Sequence, residues 1–133
     1  MPHYRAPVDD TLFLLNDVLG FHNRDNLAGF ADASPDVVEA VLREGAKLAE
    51  EVLAPVNRVG DLEGCRREPD GSVRTPTGFK AAYDAYAQGG WMGLAVPEAF
   101  GGQGLPHTIN TAMQEFASGA NLALGMYPGL TQG

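Results

Sequence analysis

Apolar residues along this chain recur mostly at helical spacing. From Pro7, the positions Val8, Leu12, Leu15 and Leu19 fall on one face, Asp9 and Asp10 occupy the first turn where the helix dipole favours acids, and Gly20 stops the run. Phe13, Leu14 and Val18 widen that face, so this helix is expected to dock on a surface rather than in a narrow seam. Residues 21–33 show no sustained period and read as a turn or a broken helical segment. The strongest signal is "SPDVVEAVLREGAKLAEEVLAP": Ser34 is placed to cap it, Pro35 takes the first helical position, and the helix is expected to end before Pro55. Val38, Leu42, Ala46, Ala49 and Leu53 form the inner stripe, while Glu39 with Arg43 and Lys47 with Glu51 stand four apart outside.

The next stretch, "GDLEGCRREPDGSVRTPTG", holds a Pro-Asp-Gly turn and few apolar residues, so it reads as a surface excursion with room for a short hairpin. Thr75 or Thr77 can then cap a helix in which Phe79, Ala82, Tyr83 and Tyr86 share a face, ended by Gly89 and Gly90. "WMGLAVPEAFGGQGLP" is too punctuated by glycine and proline for a long helix. It reads as a structured loop anchored by Trp91, Leu94 and Val96. Pro106 opens a further helix with Ile109, Met113 and Phe116 on one side, and Asn121 can start another. The fold class is all-α, with at most one short hairpin.

Composition changes this picture in one region. The 133 residues carry a net charge of −8, and residues 1–70 hold fourteen acids and seven bases, whereas residues 85–133 hold only Glu98 and Glu115. A segment so poor in charge either forms the core or faces another body. Its end, "ASGANLALGMYPGLTQG", has no charged residue or histidine but carries Leu122, Leu124, Met126, Tyr127 and Leu130. Burying those five side chains is worth up to roughly 7 to 15 kcal/mol, as much as the net stability of a domain.

The acidic balance argues against nucleic acid as a partner, since the only local basic pair, Arg66 and Arg67, is flanked by Glu63 and Glu68. No apolar run reaches the ~20 residues of a membrane span and the opening "MPHYRAPVDD" lacks signal-peptide order, so no membrane insertion and a cytoplasmic location are expected. Cys65 is the single cysteine, which leaves no internal disulfide.

Candidate chemistry is sparse. "GGQG" lacks the spacing and lysine of nucleotide fingerprints and reads as a shaped turn. His3, His22 and His107 show no metal-ligand spacing, and no metal site is expected. Cys65 beside two arginines could be a lowered-pKa thiol, but no nearby histidine offers a base, so an ordinary loop thiol is the plainer reading. Glu115, in an apolar helix, is either a buried carboxyl with a raised pKa or an acceptor that holds the helix in place; a catalytic role lacks a visible partner. "GMYPGL" suits the closed end of an apolar ligand tunnel and suits core packing equally.

Taken jointly, "GGWMGLAVPEAFGGQGLP", the helix with Glu115 and the small-residue segment after it resemble the N-terminal helical domain of acyl-CoA dehydrogenases, flavoenzymes that introduce the α,β double bond of acyl-CoA thioesters. More narrowly, "YRAPVDDTLFLLNDVLG", "GDLEGCR", "TPTGFKAAYDAYAQGGW" and "NLALGMYPGLTQG" resemble the larger bacterial subgroup that includes 3-methylthiopropanoyl-CoA dehydrogenase. The resemblance implies an N-terminal helical extension over 1–33 and an incomplete N-terminal helical domain over 34–133, without the middle β and C-terminal domains. It implies FAD in the parent enzyme, with none bound by this stretch alone, and flavin contacts and base outside the chain. To this domain it assigns a wall of the acyl pocket, mainly Met126, Tyr127, Pro128, Gly129 and Leu130, and no catalytic residue. The expectation is therefore a fragment that is inactive alone, with acyl-CoA as the parent's substrate, the remaining domains as partners, and self-association as a homo-oligomer in their absence. Two alternatives stay open: a helical protein-interaction module without acyl-CoA chemistry, and a split enzyme whose flavin and base come from another chain.

Overall fold

The computed structural model describes residues 3–131, so the outer ends of the 1–33 and 34–133 segments and the last two residues of the uncharged tail lie outside the described residues. Among the described residues the regular structure is helical apart from one two-stranded hairpin: α1 (Val8–Phe13), α2 (Pro35–Lys47), α3 (Ala54–Glu63), β1 (Arg66–Arg67), β2 (Val73–Arg74), α4 (Phe79–Gln88) and α5 (His107–Thr131). The all-α reading holds, and the hairpin is antiparallel with Arg66 opposite Arg74. Asp70 shapes its turn by accepting from the Ser72 hydroxyl (2.7 Å) and N–H (2.9 Å), which in that order hold the Asp70 carboxyl below its ordinary pKa.

Ser34 caps α2 by accepting from the Val37 N–H (3.4 Å), with Pro35 next as expected. The stripe Val38, Leu42, Ala46, Ala49, Leu53 is wholly buried. The helix does not end before Pro55, however. A wide π turn over Leu48–Leu53 leads into α3, where Pro55 sits in the first turn and needs no N–H partner, so the arm continues to Gly64. Residues 60–63 are thus helical rather than part of the surface excursion. Outside, Arg43 pairs with Glu39 as expected and also with Asp9, whereas Lys47 pairs with Glu44, three residues back, instead of Glu51.

A second π turn, Leu14–Val18, follows α1. An i→i+5 turn inserts one extra residue and rotates the residues after it out of the stripe. Val8 and Leu15 are buried as the spacing requires, but Leu19 is exposed together with Phe13, Leu14 and Val18. Neither Thr75 nor Thr77 caps α4: Gly78 stands at the cap, and the Thr77 N–H donates to Glu63 Oε2 (2.7 Å) instead.

One buried cluster joins the elements, from Val8, Leu15 and Phe21 through the α2 stripe to Phe79, Ala82 and Tyr86 of α4, Leu94 of the loop, and Ile109, Met113 and Phe116 of α5. The long arm and α5 pack along each other and supply most of it.

Candidate functional site

The site candidate lies at the end of α5. This helix is broken at Asn121, whose backbone is extended (φ −161°, ψ 89°). Asn121 is buried and does two things: its Nδ2 donates to the Leu53 carbonyl (3.2 Å) on the long arm, and its Oδ1 accepts from the Leu124 N–H (3.0 Å). The second bond is a cap, since it satisfies an amide that a helix start leaves orphaned. The start read at Asn121 is therefore real, and the side chain that makes it also ties the break to the arm.

Past the break, Leu124 is fully buried and Pro128 is buried, while Leu122 (62%), Met126 (53%), Tyr127 (38%) and Leu130 (76%) are open to solvent. Leu122, Met126 and Leu130 repeat every four residues and so form one stripe. They border a groove of about 230 Å³ that is completed by Tyr86 of α4, Ala117 and Ser118 before the break, and Gly125, Pro128 and Gly129 after it. That is below the roughly 300–1,000 Å³ of a complete small-molecule pocket.

The five sequence-predicted residues are thus divided. Met126, Pro128, Gly129 and Leu130 share this groove, whereas Tyr127 turns to a neighbouring one of about 470 Å³ with Thr75, Phe79, Lys80 and Tyr83. There the Tyr127 ring meets Phe79 edge-on (centroids 6.2 Å apart, 78°) and its hydroxyl lies 3.7 Å from Cys65 Sγ. The hydrogen bond with Cys65, and then burial, raise the Tyr127 pKa. Tyr86, Ala117, Ser118, Leu122 and Gly125 were not singled out as pocket residues. The four-residue spacing of Leu122, Met126 and Leu130 carries that signal for one of them; the approach of α4 to the tail is a tertiary fact without a local trace.

Other candidates resolve simply. Glu115 is exposed rather than buried, because its position on α5 faces away from the core that Met113 and Phe116 enter. Cys65 is an exposed loop thiol. The glycine-rich turn consumes its own donors: the N–H groups of Gly101, Gly102, Gln103, Gly104 and Leu105 donate to the carbonyls of Glu98, Pro97, Gly93, Val96 and Leu94 at 2.8–3.2 Å. Gly102 is required there, as a Cβ would meet the Val96 carbonyl oxygen at 2.0 Å. With its amides turned inward, this turn does not fit the diphosphate of a flavin dinucleotide. Among the described residues there is no group of three His, Cys, Asp or Glu able to hold a metal ion, and no helix is long and apolar enough to cross a membrane.

No family profile matches the chain. Curated relatives do. It is 35% identical over 130 residues, 98% of its length, to a 3-methylmercaptopropionyl-CoA dehydrogenase of Ruegeria pomeroyi, of which it covers 22%. It is also 35% identical over 130 residues, 97% of its length, to a broad-specificity linear acyl-CoA dehydrogenase of Mycobacterium tuberculosis, of which it covers 21%. The resemblance read from the residues is thereby shown: this chain is related to the acyl-CoA dehydrogenases over a stretch equal to about a fifth of their length.

Proposed function

We propose that these residues serve as the N-terminal helical part of a flavin-dependent acyl-CoA dehydrogenase, supplying one wall of the acyl pocket and a face for the other domains. The observation that carries this reading is the open apolar groove at Leu122, Met126, Pro128, Gly129 and Leu130, on a chain related to acyl-CoA dehydrogenases along nearly all its length. Forming a double bond between the α and β carbons of a thioester removes a proton from one and a hydride from the other. Bound flavin supplies the hydride acceptor in that chemistry. No proton-transfer step is assigned to the residues described here, since no carboxylate is among the residues that line the groove. What the groove can do is seat an aliphatic chain and exclude water from it, gaining about 0.8 kcal/mol per methylene buried. In the full enzyme acyl-CoA is the substrate, FAD the cofactor, and the other domains cover the stripe; without them self-association covers it.

Two assays test this. The purified chain with FAD, acyl-CoA and an electron acceptor is expected to show no turnover; activity above the blank overturns the assignment of a wall alone. Replacing the matching stretch of the Ruegeria pomeroyi relative by this chain is expected to give a flavin-loaded enzyme that dehydrogenates an acyl-CoA. A chimera that folds and holds flavin yet oxidises no acyl-CoA contradicts the pocket reading.

A further inference from the structure

Residues 3–7, ahead of α1, are not helical and run as a strap across two elements. Glu50, in the wide turn of the long arm, receives the strap on both oxygens: Arg5 Nη1 donates to Oε2 (3.3 Å) and the Ala6 N–H to Oε1 (3.0 Å). Beside them Tyr4 lies on α5 at Gly119, where a Cβ would come within 2.9 Å of the tyrosine Cε2 and hydroxyl oxygen. Only a residue without a side chain admits the ring at this distance. Glu115, one turn earlier, belongs to the same face: the Tyr4 pKa is raised by partial burial first, then by Glu115 and Glu50.

This contact sits beside the helix break. Ser118 precedes Gly119 and Leu122 follows Asn121, and both line the apolar groove. Where a helix is interrupted, the angle between its halves is set by side-chain contacts rather than by a continuous ladder. Here those contacts are the two Asn121 hydrogen bonds, Leu124 in the core and Tyr127 against Phe79 beyond the break, and the Tyr4 ring against Gly119 just before it.

We propose that Tyr4, Arg5 and Ala6 brace α5 at its break, so that the placement of residues 122–130, and with it the shape of the groove, depends on the N-terminal strap. Tyr4 is then a positioning residue for the groove. The inference stands on the strap's geometry and does not require the acyl-CoA reading.

Amide hydrogen exchange of the whole chain tests it by comparing residues 118–130 with residues 35–47. Tyr4→Ala is expected to accelerate exchange in 118–130 by about fivefold or more while leaving 35–47 unchanged. Gly119→Ala is expected to do the same by displacing the ring, although a glycine-to-alanine change ordinarily strengthens a helix. Tyr4→Phe, which keeps the ring, should match the parent chain. Unchanged exchange in 118–130, or equal acceleration of both segments, overturns the proposal. Should Tyr4→Ala not fold, Glu50→Gln removes the Arg5 ion pair while keeping an acceptor for Ala6: acceleration confined to 118–130 supports the brace, and none overturns it.

Discussion

The two halves of α5 are both poor in charge and meet opposite fates. Residues 107–120 send Ile109, Met113 and Phe116 fully into the core, whereas residues 122–130 send in Leu124 and leave Leu122, Met126 and Leu130 in water. Scarcity of charge therefore does not by itself mean burial within the same domain. In the first half it marks the centre of a helix packed against the long arm; in the second it marks a face for which the described residues offer only a groove wall. The divide is Asn121, a polar residue buried where the helix changes direction.

Substitutions on either side of Asn121 should sharpen this contrast. The largest effect is expected from Phe116→Ala, which empties a fully buried site and should cost about 3 to 5 kcal/mol in urea unfolding. Asn121→Ala comes next, at roughly 1 to 3 kcal/mol, because it leaves the buried Leu124 N–H uncapped and removes the tie to the Leu53 carbonyl; a loss below about 0.5 kcal/mol would show that the break holds without it.

A smaller effect is set by pH. Burial raises the Tyr86 pKa above its ordinary 10.0, so the neutral phenol is favoured in the folded chain. Its contribution is complete below that ordinary value and is lost as pH rises through the raised one. The urea midpoint should accordingly fall above about pH 10, and Tyr86→Phe should flatten that part of the curve. The smallest effect is expected on the open stripe: Leu130→Ala should change stability by less than about 0.5 kcal/mol. A cost like that of Phe116→Ala would mean the two halves are equally buried, and the contrast would fail.

Much of this was legible in the sequence because local chemistry dictates it. Ser34 followed by Pro35, the stripe from Val38 to Leu53, the turn at Asp70 and the start at Asn121 each depend on a few neighbouring residues, and each stands where the spacing put it. Pro55 misled because the preceding π turn lets the arm carry a proline in the first turn of a new helical segment. Leu19 misled for a related reason, since the extra residue in the turn after α1 rotates it out of line. Glu115 carried no mark that it faces water rather than core. For the groove, the tail residues were legible from their lack of charge. Their division between two grooves was not, because it depends on α4 packing beside the tail and on Cys65 and Phe79 drawing Tyr127 aside.

The central claim is that the stripe of Leu122, Met126 and Leu130 is a surface to be covered. Sedimentation velocity of the purified chain over a wide concentration range tests it most directly, alongside the variant Leu122→Ser, Met126→Ser, Leu130→Ser. The account predicts concentration-dependent association of the parent chain and its loss in the variant, with helix content unchanged. A parent chain that stays monomeric throughout, or a variant that associates as strongly, would contradict it.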